Sequence, residues 1–243
     1  MSRPKPSRSS KSPRHEPTYI AVIGDIVASR KLTSARRREV QIAFGELINR
    51  MNKVFAADLR AKFTIALGDE FEGLLSTREA HQTIPDLIWI IDNAFTGPLM
   101  RLGIGLGAID TEIPEYAASV DGPAFHRGRE AIGLAAKKGR MGGVFRGFSD
   151  NQDTILNGLA RVLHHQRNSW SRQQRKVASL LRTGENQKSA AHAMNLSKQA
   201  VSAYTRAAGW DAYQEGEDAF RKAIEEALDK SARRDNSHRA TLS

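Results

Sequence analysis

The sequence predicts an α+β protein in which helices pack on a mostly antiparallel sheet, followed by a small all-α domain. Residues 19–150 contain apolar segments in the order strand, helix, strand, strand, helix, strand, helix, which favours a sandwich of helices on a sheet. Residues 151–230 show helical periodicity alone. Between the two, residues 139–150 are rich in glycine and lack periodicity, which predicts a hinge or a domain boundary. We therefore predict two domains, 19–150 and 151–230.

Each element of the first domain is predicted from a local pattern. Apolar, β-rich runs predict the strands, and apolar residues at helical spacing after a capping residue or an early proline predict the helices. Two apolar runs on either side of Gly68 and Asp69 indicate a hairpin. The glycines of the third sheet segment leave room for close approach of backbone or of a ligand. The predicted elements are a strand at 19–23, a helix at 33–55, strands at 63–67 and 71–75, a helix at 87–95, a sheet segment at 99–109 and a helix at 122–138.

The two ends of the chain, residues 1–18 and 231–243, are predicted to be disordered tails. The first tail is basic, rich in proline and serine and poor in apolar residues, so burial cannot offset the entropy lost on ordering. The chain has no apolar run long enough for a membrane span and no segment typical of a signal peptide, so we expect a cytoplasmic protein. With Cys 0, the sequence excludes disulfides, cysteine-ligated zinc and thiol catalysis.

Two carboxylates of the first domain are expected at one edge of the sheet. Asp25 ends the first strand, and Asp69 lies in the turn of a hairpin whose strands should neighbour that strand. Carboxylate oxygens are the ligands that Mg²⁺ prefers, and the backbone carbonyl of Ile26 would add a neutral one, so the pattern predicts a site for Mg²⁺ and a nucleotide. Each acid is also a common turn former without chemistry. Phosphate groups are predicted to meet the following loop, which contains Val27, Ala28, Ser29 and Arg30.

The first domain resembles the SatD family of bacterial proteins over residues 19–140. Four strings carry the resemblance: YIAVIGDIVASRKL, KFTIALGDEFEGLL, RLGIGLG and DGPAFHRGREAI. More distantly, the same strings are similar to the palm domain shared by class III nucleotide cyclases and GGDEF proteins. This resemblance implies a ferredoxin-like palm sandwich, with Asp25, Ile26 and Asp69 at the positions of the metal ligands.

The likeness to cyclases also points to the helix after the glycine-rich strand, where those enzymes carry an asparagine and, four residues later, an arginine. Counted from Gly122, His126 occupies the asparagine position, whereas Glu130 stands at the arginine position and Arg129 falls one residue early. In a shifted helix register, Arg127 or Arg129 would hold phosphates. We therefore include His126, Arg127 and Arg129 in the predicted nucleotide-binding set. The incomplete match fits a nucleotide-binding sensor at least as well as an enzyme.

Positive charge is concentrated in residues 161–208, which contain nine Lys or Arg and one acidic residue. Residues 19–150 are nearly neutral, with 17 basic and 16 acidic residues. Because clustered cations release counterions from phosphates, the basic segment predicts a polyanion as partner. The alternative is a basic face that contacts only solvent.

Within the basic segment, two short helices are predicted at 187–196 and 197–207. Small alanines in the first, a turn at Asn195 and a capping Ser197 give the spacing of a helix-turn-helix, whose second helix lies in the major groove of DNA. The string NLSKQAVSAYTRAAGW resembles the recognition element of winged-helix and sigma-region-4-type regulators. The alternative is a helical hairpin used for packing or dimerisation. The predicted DNA contacts are Ser197, Lys198, Gln199, Ser202, Thr205 and Arg206, with Lys188, Arg172, Arg175 and Lys176 on the phosphate backbone.

These patterns together predict a DNA-binding transcriptional regulator whose palm domain senses a nucleotide with Mg²⁺. The expected partners are double-stranded DNA, a nucleotide and a second copy of the chain, without a membrane. Ligand binding would change the hinge or the dimer geometry and so the spacing of two recognition helices. Two alternatives remain: an enzyme similar to nucleotidyl cyclases that acts on nucleoside triphosphates, and a palm domain without ligand that dimerises a DNA-binding module. The acidic final helix at 213–228 is expected to pack on the second domain or on a second copy.

Overall fold

The computed structural model describes residues 18–95 and 97–240, with side chains at all of these positions except 67, 94 and 234–240. The predicted tail at 1–18 lies outside the described residues except for its last residue. Residues 231–240 are helical, so the prediction of disorder is wrong for that part of the second tail. Among the described residues, no helix has the length and apolar character needed to cross a bilayer.

The described residues form five strands and eight α-helices, so the predicted α+β fold is confirmed. The strands lie in the order β2, β3, β1, β4, β5; all neighbours are antiparallel except β4 and β5. The elements are β1 (Tyr19–Ile26), α1 (Ser34–Val54), β2 (Leu59–Leu67), β3 (Glu70–Ser76), α2 (Ala80–Ala94), β4 (Met100–Gly107), α3 (Pro123–Lys138), β5 (Val144–Arg146), α4 (Asp150–Ser169), α5 (Arg172–Arg182), α6 (Gln187–Met194), α7 (Lys198–Ala207) and α8 (Trp210–Ala240).

The sheet buries both of its faces, because successive side chains of a strand point to opposite sides. Ile20 and Val22 of β1 join the main apolar core, which α1 and α2 cover. Ala21 and Ile23 join a second core under α3. The sheet with α1, α2 and α3 is called the palm below.

Helix α3 lies directly against the backbone of β4, and this contact explains the glycines of that strand. A Cβ atom at Gly103 would lie 2.3 Å from the carbonyl oxygen of Gly128, and one at Gly105 would lie 2.2 Å from that of Ala124. The sequence left open whether a backbone or a ligand approaches here. The structure shows that the backbone of α3 occupies this space.

The glycine-rich segment at 139–150 is part of the sheet and not the predicted hinge. It contains β5, which pairs in parallel with β4 through Gly103 and Val144. The side chains of Val144 and Phe145 are buried. Gly142, Gly143 and Gly147 have positive φ angles, so these glycines shape tight turns around a buried edge strand.

The predicted second domain is also smaller than expected. Leu156 and Leu163 of α4 and Phe220 and Ile224 of α8 belong to the same core as the side chains of the sheet. Within the described residues 151–230, the apolar cluster that is separate from this core belongs to α5, α6 and α7, and it is formed by Val177, Ala190, Ala191 and Val201 with partly buried neighbours. The predicted boundary at residue 150 is therefore wrong. The reason is physical: the apolar stripes of α4 and α8 need partners, and α8 packs against α2 of the palm while α4 packs against α8 and β5.

Polar contacts hold this three-helix unit, α5 to α7, against the rest of the molecule. The indole N–H of Trp170 donates to the carbonyl oxygen of Ala208, at the end of α7, over 2.8 Å. The guanidinium of Arg182 in α5 pairs with Asp86 of α2 and with Glu217 of α8. The acidic helix α8 thus packs on the palm as well as on this unit.

Candidate functional site

The end of β1 and the turn of the β2–β3 hairpin lie side by side at one edge of the palm. The N–H of Ile26 donates to the carbonyl oxygen of Asp69 over 3.0 Å. Asp25 lies opposite Glu70 in the register of β1 and β3. The backbones at the two predicted metal-ligand positions are therefore neighbours.

The side chains of Asp25 and Asp69 have different partners. Both oxygens of Asp25 accept hydrogen bonds from the guanidinium of Arg101 on β4, over 2.9 and 2.6 Å. Asp69 accepts a hydrogen bond from the hydroxyl of Ser29. A cation at Asp25 would have to displace Arg101 and then lie beside its positive charge. The described residues contain no group of three or more His, Cys, Asp or Glu side chains able to hold a metal. As arranged, these residues do not fit a shared Mg²⁺ ion.

The loop after β1 borders a small pocket of about 220 Å³ between α1 and the hairpin turn. Ser29, Arg30 and Asp69 line it, together with apolar side chains that include Ile26 and Val40. The N–H of Val27 donates to the carbonyl oxygen of Leu99 over 2.9 Å, so the prediction that this amide binds phosphate is wrong. Ala28 has a left-handed φ angle of 57°.

The predicted phosphate-binding residues of α3 lie on the opposite face of the sheet from this pocket. His126 pairs with Asp121 at 3.2 Å, and Arg127 donates to the carbonyl oxygen of Leu106 over 2.6 Å. Arg129 contacts Glu72 at 3.2 Å and Asp121 at 3.3 Å. The structure thus divides the predicted nucleotide-binding set between two faces of the palm. Each of these three side chains already has an oxygen partner in the protein.

Three charged residues near Asp25 were not singled out from the sequence: Glu70, Glu72 and Arg101. Burial raises the pKa of Glu70, and the negative charges of Glu72 and Asp25 raise it further. Burial also raises the pKa of Glu72, and Arg129 offsets part of this effect. Glu72 lies between apolar residues in the strand FEGLL, and this position was the feature of the sequence that could have indicated a buried carboxyl. The pairing of Arg101 with Asp25 depends on the register of β1 and β4, which the sequence does not display.

Helices α6 and α7 are joined by the predicted turn and have the predicted cap. Asn195 has a left-handed φ angle of 52° at the end of α6. The hydroxyl of Ser197 accepts a hydrogen bond from the N–H of Ala200 over 3.1 Å, so Ser197 is the N-cap of α7. Val201 of α7 packs against Ala190 and Ala191 of α6.

The outer side of α7 presents polar and positive side chains. Lys198, Gln199 and Arg206 are exposed, and Ser202 is partly exposed. Thr205 is only 6% exposed, and its hydroxyl donates to the carbonyl oxygen of Val201 over 2.9 Å. The predicted outward position of Thr205 is therefore wrong, because one turn after Val201 it follows that residue into the apolar cluster. Lys188, near the start of α6, is exposed.

Two of the nine cations in residues 161–208 form ion pairs with acidic side chains of the protein itself. Arg167 is buried and pairs with Asp92 of α2 at 2.6 Å, while its second guanidinium nitrogen donates to the hydroxyl of Tyr213 over 2.7 Å. Burial opposes the ionisation of Asp92, but the contacts from His164 and Arg167 outweigh it and hold the pKa of Asp92 below its ordinary value. Arg182 is the second internal cation, through Asp86 and Glu217. The basic segment thus presents fewer cations to a polyanion than its sequence suggests.

A larger cleft separates α5 from the palm. Its volume is about 720 Å³, and it lies between the end of α2 with the start of β4 on one side and α5 with the end of α6 on the other. Arg172, Arg175 and Lys176, which the sequence assigns to the DNA backbone, line this cleft. Sequence patterns could not have indicated it, since its two walls are about 80 positions apart in the chain.

Comparison with known proteins gives one family and a few distant structural likenesses. The sequence matches the SatD family over residues 19–222. No curated protein matches it. A structure of a bacterial light-regulated adenylyl cyclase is 14% identical, covers 54% of this chain and 76% of its own, and has a TM-score of 0.41. A second structure of such a cyclase is 12% identical, with coverages of 54% and 43% and a TM-score of 0.40. The Regulator of Polyketide Synthase Expression from Bifidobacterium adolescentis is 14% identical, covers 90% of this chain and 82% of its own, and has a TM-score of 0.28. Likenesses of this size establish no shared activity.

Proposed function

The chain belongs to the SatD family, and we propose that it is a DNA-binding transcriptional regulator in which α6 and α7 form a helix-turn-helix. The single observation that carries this proposal is the polar outer side of α7. Lys198, Gln199 and Arg206 are exposed there, and their side chains have no hydrogen bond or ion pair with the described residues. Exposed side chains without such a partner among the described residues are available for an external one.

The chemistry of these side chains suits the major groove. Glutamine binds adenine through two hydrogen bonds, and lysine and arginine bind guanine or phosphate. The N-terminal part of the second helix is the part that contacts base edges in helix-turn-helix proteins, and Lys198 and Gln199 are the first two residues of α7. Lys188, near the start of α6, is suitably charged for a phosphate contact. In this proposal α7 contacts the base edges, and α6 contacts the phosphate backbone and so orients the protein on the DNA.

The predicted role of the palm as a sensor of a nucleotide with Mg²⁺ has weaker support. Arg101 occupies both oxygens of Asp25, so the proposal includes no metal. The enzymatic alternative depends on the same metal pair and on cations of α3 that already have protein partners. A palm that only dimerises the DNA-binding module is the third candidate. Light scattering on the full chain, with and without duplex, would measure the oligomeric state on which that candidate depends.

The test of the proposal starts from a random-sequence library of duplexes, from which the full-length protein enriches the bound fraction. Fluorescence anisotropy then compares an enriched duplex with a scrambled one. We expect the wild type to prefer the enriched duplex by about 10³ or more. The double variant Lys198→Ala, Gln199→Ala should lose about tenfold or more of this preference, because a good base contact is worth roughly 1–3 kcal/mol.

The matched control is Gln214→Ala, Lys222→Ala, which removes the same two residue types from the exposed side of α8. The control should bind as the wild type does. If no duplex is enriched, or if the control and the α7 variant lose the same amount, α7 is not a reader of base sequence.

A further inference from the structure

We infer that the cleft between α5 and the palm binds a phosphorylated small molecule that has an apolar or aromatic body. The cleft has a volume of about 720 Å³, and ligand pockets are typically of about 300–1,000 Å³. Its two walls differ in chemistry, and together they match the two parts of such a molecule.

The first wall is positively charged. Arg172, Arg175 and Lys176 lie within two turns at the beginning of α5 and line the cleft. The guanidinium of Arg175 donates to the side-chain oxygen of Asn168 over 3.3 Å. Arg172 and Lys176 make no ion pair or hydrogen bond with the described residues. Three cations without a carboxylate partner on one wall provide a site for an anion, and guanidinium groups suit the geometry of phosphate.

The second wall is largely apolar. It includes Phe95, Pro98, Leu99 and Met100 from the segment that leads into β4, and Met194 faces it from the end of α6. Leu99 is 53% exposed. An apolar or aromatic group placed here would remove this surface from water.

The one carboxylate in the cleft does not cancel the positive wall. Asp92 contacts the buried Arg167 at 2.6 Å and His164 at 3.2 Å, so its charge is balanced within the protein. Asn93, Gln173 and Ser179 supply further hydrogen-bonding groups in the lining. The net charge that the cleft offers to a ligand is therefore positive.

A small molecule fits this cleft better than the DNA backbone does. The palm wall stands opposite the three cations, so a phosphate of a duplex would have to enter between two walls to reach them. Lys188, Lys198 and Arg206 are exposed and do not line this cleft. The assignment of Arg172 and Lys176 to a DNA backbone then becomes an outcome of the test below.

The cleft also lies between the palm and the three-helix unit α5 to α7, and in a regulator the state of one must affect the other. One wall belongs to the palm, and the other belongs to α5 and α6, which hold α7. A ligand that contacts both walls would favour one relative arrangement of the palm and the reading helix. This regulatory consequence depends on the proposed DNA-binding function, whereas ligand binding itself does not.

The experiment measures binding of the fluorescent nucleotide trinitrophenyl-ATP to the full-length protein at about 0.15 M salt without DNA. ATP, inorganic triphosphate and adenosine then compete for the probe. We expect saturable binding, and we expect ATP to compete better than either of its two parts. The double variant Arg172→Ala, Lys176→Ala should raise the dissociation constant about tenfold or more, because both removed contacts are charge-assisted.

Two further variants locate the site. Arg38→Ala, Arg161→Ala removes the same positive charge from exposed positions outside the cleft and should leave binding unchanged. Asp69→Asn alters the small pocket beside Ser29 and should also leave binding unchanged. The inference is overturned if no probe binds, if the Arg38 and Arg161 variant weakens binding as much as the cleft variant, or if Asp69→Asn alone abolishes it.

A last arm measures DNA binding of the same variants by anisotropy on the enriched duplex. If the cleft variant keeps its affinity for DNA but loses the probe, the cleft is a ligand site and not a backbone contact. If it loses DNA and keeps the probe, Arg172 and Lys176 are phosphate contacts and the inference fails. If the wild type binds the probe but no duplex, the proposed function fails and the ligand site stands.

Discussion

Cations in the palm and cations on α7 have different surroundings, although the sequence predicted ligand contacts for both Arg127 and Arg129 in the palm and for Lys198 and Arg206 on α7. Arg101, Arg127 and Arg129 of the palm each donate to an oxygen of the protein. Lys198 and Arg206 of α7 are exposed and make no such contact with the described residues. A guanidinium that is already hydrogen-bonded must break those bonds before it can bind a ligand. The comparison shows that partners within the fold decide which cations remain available.

The largest expected effect is the loss of stability that follows when an internal cation is removed. Arg167→Ala should reduce the free energy of unfolding by about 3–5 kcal/mol, because it leaves the largely buried Asp92 with only His164 of its two charge partners. Arg206→Ala should change it by less than about 0.5 kcal/mol, since Arg206 is exposed. Urea denaturation followed by circular dichroism measures both values. Similar losses in the two variants would show that the division into internal and available cations is wrong.

A second, smaller effect concerns the glycines of β4. Gly105→Ala should cost about 1–3 kcal/mol of stability, because the new Cβ atom would meet the backbone of α3. Gly133→Ala, within α3, is the control: a Cβ atom there has no neighbour within 4 Å, so the helix should gain up to about 1 kcal/mol. Thermal unfolding of both variants measures the difference. A neutral Gly105→Ala would mean that α3 can move away from the strand.

The third expected effect tests the phosphate contact proposed for α6. Lys188→Ala should reduce the slope of log affinity for DNA against log salt by about 1, since each phosphate contact releases about one counterion. Arg161→Ala, an exposed cation on α4, should leave the slope unchanged. A titration of the enriched duplex at several salt concentrations measures it. An equal change in both variants would indicate general attraction to a basic protein.

The smallest expected effect is the pH dependence of folding stability that Glu72 contributes. Burial raises its pKa in the folded protein above the ordinary value of 4.5. The protonated carboxyl therefore favours the folded state below that pH, and this contribution is lost as the pH rises through the folded pKa. Glu72→Gln should thus gain stability relative to the wild type over the pH interval that begins at about 4.5 and extends upward through the folded pKa. A relative loss over this interval would show that the contact with Arg129 outweighs burial.

Local features of the sequence predicted local structure well. The hairpin around Asp69, the turn at Asn195 and the cap at Ser197 depend on residues close together in the chain, and all three are present. The neighbouring position of Asp25 and Asp69 followed from the hairpin. The contact of Asp25 with Arg101 did not, because it depends on strand register across 76 positions.

The predicted bounds of the second domain were wrong because they too depend on contacts between distant parts of the chain. Helical periodicity in α4 and α8 shows that each helix buries one side, but it does not show against what. The residues that decide this, such as Trp89 of α2 beside Trp170 and Tyr213, lie in separate parts of the sequence. The cleft could not be predicted because it exists only where those parts meet.

The junction between α7 and α8 has a mechanical consequence. The carbonyl oxygen of Ala208 accepts hydrogen bonds from Trp170 and from Gln166, and Gln166 also donates to that of Gly209. These bonds attach the end of α7 and the start of α8 to the C-terminal end of α4. A movement of α7 relative to the palm must therefore either carry the end of α4 with it or break these hydrogen bonds. We expect substitutions at Gln166 to weaken the coupling between α4 and α7 without changing either helix.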